Sequence, residues 1–308
     1  MIKRGCLGLL VLVTVLAIGA LAIAFIQGQR TPDGRPEYVA LGSSFAAGAG
    51  LGELQDGSPV LCARSVGGYP QELASQLKRS IVDMSCGGAV TKNLLNGRQY
   101  FQGPQVRVIG KETQLVTITV GGNDVGYVGD LSMLAARNTD TLFGILVRQF
   151  GGGPKTMEQR GFDKFRDELG GLIADIRKRA PGSQIVIATY PTILPKSGTC
   201  PRLSLNIAEA NSMREVGARL ALVTRETAER GGAIVVDMQS LGTKHNACSA
   251  EPWVNGWTNG GIAPFHPTSL GAKATANAIA EAISKSPAAV AAVRENDASG
   301  HQARRIAR

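Results

Sequence analysis

Five short apolar runs recur along the chain, and most of them stop at glycine or proline. The runs are 38–41, 81–84, 115–120, 184–189 and 233–237. Runs that are apolar on both faces are typical of parallel strands covered by helices. Helical patterns separate them, at 69–78, 162–179, 207–230 and 269–284. This alternation predicts an α/β protein: a three-layer α/β/α sandwich with a central parallel sheet of about five strands.

The first thirty residues carry a targeting pattern. Lys3 and Arg4 precede an uncharged run of 21 residues, from 6 to 26. A secretory signal has an apolar region of about 7–15 residues, whereas about 20 residues cross a bilayer as one helix. The length of the run favours a retained anchor over a cleaved signal, although Ala20-Leu21-Ala22 and Ala22-Ile23-Ala24 both fit a cleavage site. Either interpretation of residues 1–30 makes the protein extracytoplasmic, membrane-anchored or secreted.

Export changes what the cysteines imply. Four of them lie beyond the targeting segment, and an even number in an oxidising compartment predicts two disulfides. Four cysteines can pair in three ways, and we expect the way that forms the two local bonds, Cys62–Cys86 and Cys200–Cys248. The alternative is that all four are free buried thiols. The sequence has no Cys-x-x-Cys or His-Glu-x-x-His spacing, so it predicts no metal site.

The charge balance bears on the partners. Lysine and arginine number 33 against 24 aspartates and glutamates, a formal charge of +9. These cations are scattered, and the densest run, Arg177-Lys178-Arg179, closes a predicted helix, where cations stabilise the helix dipole. We therefore expect no nucleic-acid partner; an acidic envelope surface or anionic lipid explains the surplus better. Residues 287–308 are expected to form a loose basic tail.

Ligands of parallel α/β sheets bind at the carboxyl ends of the strands. This rule selects four short regions: 42–45, 87–89, 121–124 and the segment around 240. The first contains Ser44, followed by small residues that let a substrate approach the backbone closely. Taken alone, Ser44 is more typical of a helix N-cap than of a nucleophile. To act as a nucleophile its hydroxyl needs an adjacent base, and imidazole titrates in the right range.

The chain has three histidines, and they differ in context. His301 lies in the expected tail, and His245 lies three residues before Cys248. His266 precedes Pro267 at the expected start of the last helix, and this position makes it the candidate base for Ser44.

Four blocks of sequence together resemble one known family. They are Gly42-Ser43-Ser44-Phe45, Ser85-Cys86-Gly87-Gly88-Ala89, Gly121-Gly122-Asn123-Asp124 and Phe265-His266-Pro267-Thr268. In this order they resemble the SGNH (GDSL-type) hydrolases, and the chain looks closest to secreted actinobacterial esterases and lipases. The resemblance covers about 37–284 and implies a flavodoxin-like hydrolase domain over 31–286. It implies Ser44 as nucleophile, His266 as base, and an oxyanion hole formed by Ser44, Gly88 and Asn123.

Two positions depart from the family pattern. Ser43 stands where the family usually has aspartate before the nucleophile, and Ala263 stands where it has the aspartate of the triad. We therefore expect a Ser44–His266 dyad, with the backbone carbonyl of Ala263 orienting the imidazole. The carboxylates that could substitute are Asp124 and Asp237.

The resemblance implies an exported serine esterase or lipase that hydrolyses carboxylic esters through an acyl-enzyme, without metal or organic cofactor. We expect a monomer whose partners are an acyl-ester small molecule or lipid and, through residues 1–30, the membrane. Two alternatives stay open: a carbohydrate O-deacetylase or acyltransferase on envelope glycan, and a non-catalytic envelope-binding module. The apolar insertion at 129–161 is either a lid, a lipid-facing patch or a buried helix pair, and we favour the pair.

Overall fold

A computed structural model describes residues 2–30, 32, 36–258 and 261–286, and for residues 2–10 it describes only the backbone. Within these residues, five strands form one parallel sheet. They are β1 (Tyr38–Gly42), β2 (Ile81–Asp83), β3 (Leu115–Thr119), β4 (Gln184–Ala188) and β5 (Ile234–Val236). The predicted sheet is thereby confirmed. The tail expected at 287–308, with His301, lies outside the described residues.

The strand order is β2-β1-β3-β4-β5, so β1 lies between β2 and β3. In register, Val39 of β1 is opposite Val82 on one side and Val116 on the other. In sheets of this order the connections reverse direction beside β1, which opens a crevice at the carboxyl edge. The loops that follow β1, β2 and β3 therefore meet at one place.

Helices cover both faces of the sheet. The helices of the described residues are α1 (Ile2–Gln29), α2 (Ser44–Ala47), α3 (Tyr69–Leu77), α4 (Thr91–Asn96), α5 (Tyr127–Arg137), α6 (Leu142–Phe150), α7 (Phe162–Arg179), α8 (Ile207–Arg230), α9 (Met238–Leu241) and α10 (Ser269–Ser284). Alternate residues of β1 point into two separate apolar cores. Tyr38 and Ala40 pack with α3 and α10, whereas Val39 and Leu41 pack with α7 and α8. This arrangement confirms the three-layer sandwich.

The insertion at 129–161 contains two helices of different character. Most apolar side chains of α5 enter the core, and Leu131 is fully buried, whereas Met133 is exposed. In contrast, α6 buries only Gly144 and Val147 and leaves Leu142 73% and Phe150 77% exposed. The expectation of a buried pair is right for α5 and wrong for α6. The reason is that α5 packs against α8, whereas α6 packs against the outer side of α5.

Both expected disulfides are present. Cys62–Cys86 joins a 3-10 turn to the residue that precedes Gly87 in the loop after β2. Cys200–Cys248 joins the loop after β4 to the loop after α9. The local pairing is confirmed.

The N-terminal helix is long and apolar enough to cross a membrane. Within α1, Val11–Gln29 form a stretch of 19 residues with a mean hydropathy of 2.4. Length and composition alone also fit a signal sequence.

Candidate active site

The turn after β1 is built around Gly42, which adopts a φ of +140°. A Cβ at this position would collide with the backbone carbonyl of Thr119, so no other residue fits here without a shift. The side chain of Gln105 accepts a hydrogen bond from the Gly42 amide (2.9 Å) and donates to its carbonyl (3.1 Å). Ser44 is the first residue of α2, and Ser43 occupies the N-cap position. Ser44 is therefore not a capping residue.

His266 meets Ser44 across 222 positions of sequence, and both residues are half-buried. The Nε2 atom of His266 lies 2.7 Å from the Ser44 Oγ, and its Nδ1 lies 2.9 Å from the Pro264 carbonyl oxygen. Because a carbonyl only accepts, Nδ1 carries the proton and Nε2 is free to accept from the serine hydroxyl. This is the tautomer that a general base requires.

The expected orienting group was the Ala263 carbonyl, and that expectation is wrong. The Ala263 carbonyl accepts the backbone N–H of His266 at 3.3 Å, which closes a turn. Phe265 within this turn has a φ of +59°, a left-handed conformation that non-glycine residues rarely adopt. The turn leaves the Pro264 carbonyl, one residue further along, facing the imidazole.

The surroundings of His266 favour its neutral form. Burial lowers the pKa of the imidazole below its ordinary value, and the hydrogen bond to Pro264 opposes that shift only in part. The Phe45 ring contributes to this burial, with its centroid 5.3 Å from that of the imidazole. At neutral pH the imidazole is therefore ready to take a proton.

Three hydrogen-bond donors lie on the loops that follow β1, β2 and β3. Among the described residues, the amides of Ser44 and Gly88 donate to no protein acceptor. Gly88 is exposed, with a φ of +78°. The side-chain amide of Asn123 donates one N–H to the Ala89 carbonyl at 3.0 Å, which leaves its second N–H available. Unpaired donors of this kind can stabilise an oxyanion.

Asp124 joins two of these loops. Both of its carboxylate oxygens accept the single Thr91 N–H in a bifurcated hydrogen bond, at 2.9 and 3.2 Å. Burial raises the pKa of Asp124 to about 6, and hydrogen bonding from Thr91 opposes the shift. Asp237 caps α9 and pairs with Arg225 at 3.1 Å. Neither carboxylate is bonded to His266, so neither replaces the missing triad aspartate.

Ser43 belongs to a buried hydrogen-bond network. Its hydroxyl lies 2.9 Å from the Tyr190 hydroxyl, which accepts the Gly122 amide at 3.1 Å. Burial raises the pKa of Tyr190 to about 12, so the phenol stays protonated. The network connects the residue before Ser44 to the residue before Asn123.

The loop after β2 is held on two sides. The Cys86 amide donates to the Gly42 carbonyl at 3.0 Å, and the Gly87 amide donates to the Cys62 carbonyl at 2.8 Å. Together with the Cys62–Cys86 disulfide, these bonds fix the backbone from which the Gly88 amide projects.

The structure keeps His245 out of this site. Its ring stacks on Trp253 at 4.4 Å, and its Nδ1 lies 2.9 Å from the Glu251 carbonyl oxygen.

A cavity of about 670 Å³ lies away from Ser44 and His266, beside β2, with Arg64, Asp83 and Arg107 in its lining.

Sequence reasoning missed three residues that support the site: Gln105, Tyr190 and Pro264. Gln105 lies in a 3-10 turn without any motif, and Tyr190 lies two residues after the end of β4, at the strand edge where ligands bind. Position at a strand end was therefore a usable signal for Tyr190. For Pro264 there was no such signal, because its backbone carbonyl differs from that of Ala263 only in its position within the turn.

The chain is similar to a known family of hydrolases and to lipases of Streptomyces. A model of the GDSL-like lipase/acylhydrolase family matches residues 40–274. Lipase 2 of Streptomyces coelicolor is 30% identical over 282 residues, which cover 84% of this chain and 91% of that protein.

Solved structures of a lipase and of a phospholipase have a similar fold. The extracellular lipase of Streptomyces rimosus superposes with a TM-score of 0.64 at 26% identity, covering 80% of this chain and 98% of that one. Phospholipase A1 of Streptomyces albidoflavus NA297 gives a TM-score of 0.65 at 25% identity, covering 80% of this chain and 99% of that one.

Proposed function

Because the chain belongs to the GDSL-like lipase/acylhydrolase family and is an ester hydrolase of it, we propose that Ser44 and His266 carry out its reaction. The proposed enzyme is an exported serine esterase or lipase that cleaves carboxylic esters through an acyl-enzyme. The observation that carries the proposal is the 2.7 Å contact between the Ser44 hydroxyl and the unprotonated Nε2 of His266. A serine hydroxyl becomes a useful nucleophile only beside such a base.

Acylation begins when the Ser44 Oγ attacks the ester carbonyl carbon and His266 Nε2 takes the hydroxyl proton. The carbonyl oxygen becomes negative and accepts hydrogen bonds from the amides of Ser44 and Gly88 and from the Asn123 side chain. One such donor contributes about 3–4 kcal/mol to transition-state stabilisation in comparable sites. The intermediate collapses, the C–O bond to the alcohol breaks, and His266 returns its proton to the departing oxygen.

Deacylation repeats the same steps with water. His266 removes a proton from a water molecule, whose oxygen attacks the acyl carbon, and the second tetrahedral intermediate expels Ser44. The serine oxygen regains the proton from His266, and the carboxylic acid leaves. The balance needs only ester and water.

A carbonyl replaces the carboxylate of a triad in this proposal. In serine proteases, a substitution that leaves the histidine in the wrong tautomer costs about 10⁴ in kcat. The Pro264 carbonyl holds His266 in the useful tautomer, so that loss is avoided. A neutral carbonyl stabilises the imidazolium less than a carboxylate does, so we expect a lower kcat than a complete triad would give.

The arrangement of the chain completes the proposal. Residues 1–30 act as a membrane anchor and residues 31–286 as the hydrolase domain outside the cytoplasm, followed by the tail 287–308. The apolar stretch Val11–Gln29 and the two disulfides support export. The relatives named lipase and phospholipase favour a lipid ester over an acetylated glycan as substrate.

A panel of esters tests the function. Purified full-length protein is assayed on p-nitrophenyl acetate, p-nitrophenyl decanoate, a diacyl phospholipid and an acetylated xylo-oligosaccharide. We expect turnover of acyl and lipid esters, with kcat lower by about 10³ or more in Ser44→Ala and by about 10²–10³ in Asn123→Ala. Unchanged turnover in Ser44→Ala would refute the mechanism, and a clear preference for the acetylated sugar would favour a carbohydrate deacetylase.

A further inference from the structure

The last turn of α1 is packed against the hydrolase domain. The ring of Phe25 meets that of Phe101 edge to face at 5.9 Å, and the Gln29 side chain donates to the Phe101 carbonyl at 2.7 Å. Gly28 is buried, and a Cβ on it would lie 2.7 Å from the Tyr100 carbonyl oxygen. This approach therefore requires glycine at position 28.

From residue 11 onward, where the side chains of α1 are described, most of its apolar surface is exposed. Its apolar side chains are more than half exposed at these positions: Val11, Leu12, Val13, Val15, Leu16, Ile18, Leu21, Ile23 and Ile26. Such a surface is stable in hydrocarbon and not in water. At 1.5 Å per residue, the uncharged run 6–26 spans about 32 Å, close to the thickness of a bilayer core.

The segment that receives α1 also contacts the proposed oxyanion loop. The Gln99 side chain donates to the Gly87 carbonyl at 2.7 Å. The position that a Cβ would take on Gly88 lies 3.6 Å from the Tyr100 hydroxyl. One tyrosine side chain thus separates the backbone on which α1 docks from the Gly88 amide.

The backbone of this segment is held in an uncommon conformation. Arg98, Tyr100 and Phe101 have φ values of +72°, +47° and +63°. Non-glycine residues persist in this region only where their surroundings hold them, and here contacts come from α1 on one side and from Gly87 on the other.

The depth of the docked turn in a membrane follows from the sequence. Phe25 lies one residue before the end of the uncharged run, so a helix that crosses a bilayer with this run would place Phe101, beside Phe25, at the outer boundary. Aromatic residues are typical of this boundary. Exposed apolar residues continue the surface beyond Phe101: Val60, Leu61 and Tyr100, which with Phe101 we name the apolar rim. The Val60 amide donates to the Gln27 side chain at 3.4 Å, which places the rim beside the helix end.

Because the exposed apolar surface of α1 continues into the apolar rim, we propose that the docked end of α1 and the apolar rim form a bilayer-contacting surface. This surface holds Gly88 and Ser44 against the outer leaflet. The enzyme then acts on acyl esters of phospholipids in the membrane that α1 itself crosses. Exposed Arg30 and Arg98 beside the rim suit anionic headgroups. This inference rests on the proposed function and adds to it where the substrate must lie.

A flexible tether makes a different prediction from a docked helix. Only residues 30–37 lie between α1 and β1, and when extended they reach about 28 Å. Without docking, that linker would let the domain turn its site away from the bilayer. Docking fixes the orientation, and its loss should reduce turnover of membrane lipid more than turnover of a soluble ester.

Two glycines of α1 provide a matched pair of variants. A Cβ at Gly28 meets the backbone of Tyr100 and Phe101, whereas a Cβ at Gly19 meets nothing within 4 Å. Gly28→Leu should therefore undock the helix, and Gly19→Leu adds the same side chain to the same helix without contact. Phe101→Ser removes the ring contact from the other side. Flotation of each protein with vesicles and a thermal unfolding scan verify insertion and folding.

Full-length proteins are reconstituted in vesicles of phosphatidylcholine and phosphatidylglycerol. Fatty-acid release from labelled phosphatidylglycerol is measured with the label in the enzyme's own vesicles or in added protein-free vesicles, and p-nitrophenyl acetate is the soluble ester. We expect wild type and Gly19→Leu to cleave lipid of their own vesicles at least about tenfold faster than added lipid. Gly28→Leu and Phe101→Ser should lose about tenfold on own-vesicle lipid and stay within about threefold on the soluble ester.

Equal lipid turnover by Gly28→Leu and Gly19→Leu would overturn the docking inference, as would equal cleavage of own and added vesicles by the wild type. Turnover of p-nitrophenyl acetate by wild type with no release from either lipid would overturn it too, while the proposed function survives. Turnover of neither substrate by wild type would reject the proposed function itself, and the inference with it.

Discussion

The orientation of His266 depends on one backbone turn. The sequence indicated a serine and a histidine as partners, and the structure brings these two side chains into contact. It did not indicate which carbonyl would face Nδ1, because that depends on the left-handed φ of Phe265, a conformation without a side-chain signature. Side chains that carry chemistry could thus be found from their types and spacing, whereas the group that orients them follows from local geometry.

The depressed pKa of His266 gives a pH prediction. The base works only when neutral, so kcat/KM falls as acid protonates it. Because burial lowers this pKa, the acid limb should have its midpoint below 6.5, the ordinary imidazole value. Asp124, with a pKa of about 6, titrates in the same range, so the profile is repeated with Asp124→Asn. A midpoint above 7, or a limb that disappears in Asp124→Asn, contradicts the assignment to His266.

Ser43 and Tyr190 give a second prediction at this scale. Ser43→Ala and Tyr190→Phe each remove their shared hydrogen bond, and Tyr190→Phe also leaves the Gly122 amide unpaired. We expect Tyr190→Phe to lower the free energy of unfolding by about 1–3 kcal/mol, and the double variant to lose less than the sum by about 0.5–1.5 kcal/mol. Chemical denaturation of the four proteins measures this coupling. Strict additivity would mean that the two hydroxyls do not interact.

Elements with a strong pattern were predicted to within a residue or two. The bounds of α7, α8 and α10 agree with the expected 162–179, 207–230 and 269–284, because each begins or ends at a clear signal such as Asn206 or Thr268. In contrast, α4 was not predicted. It has only six residues and starts after Val90, which has no capping hydroxyl, and the Asp124 carboxylate on another loop accepts from its first amide. Tertiary contacts of this kind leave no local pattern.

The two disulfides lead to a prediction in which stability and activity move differently. Cross-link entropy over separations of 24 and 48 residues predicts losses of about 3.4 and about 4.1 kcal/mol when Cys62–Cys86 and Cys200–Cys248 are replaced by alanine pairs. Of the two disulfides, only Cys62–Cys86 adjoins the Gly87-Gly88 loop. We therefore expect replacement of Cys62–Cys86 to lower kcat by about tenfold, although it costs less stability. Replacement of Cys200–Cys248 should lower kcat by less than about threefold. Equal effects of the two pairs on kcat, measured below both melting temperatures, would contradict the role given to this loop.

At the scale of the whole molecule, the strand order explains how distant residues meet. Ser44, Gly88 and Asn123 follow β1, β2 and β3, which are neighbours in the sheet, and His266 precedes the helix that covers one face. The sequence predicted this assembly because parallel strands end at a common edge. It gave no sign that α1 docks on the segment 98–102, since that contact depends on three left-handed residues and a glycine on another element.

The fate of the N-terminus gives a prediction at this scale. We expect the exported protein to keep residues 1–30 and to remain in the membrane fraction at high salt, because an uncharged run of 21 residues crosses a bilayer. Mass spectrometry of the protein isolated from membranes reads its N-terminal peptide. A mature chain that starts after Ala22 or Ala24 would contradict the anchor and the docked helix alike.

Covalent capture of the nucleophile tests the central claim most directly. A fluorophosphonate probe reacts with a serine only when a neighbouring base and oxyanion donors activate it. Incubated with the full-length protein and analysed by peptide mass spectrometry, the probe should add once, on the peptide that contains Ser44. Ser44→Ala should abolish the adduct, and His266→Ala should slow its formation by about 10³. No adduct, or an adduct on another serine that forms equally fast in both variants, would contradict the account.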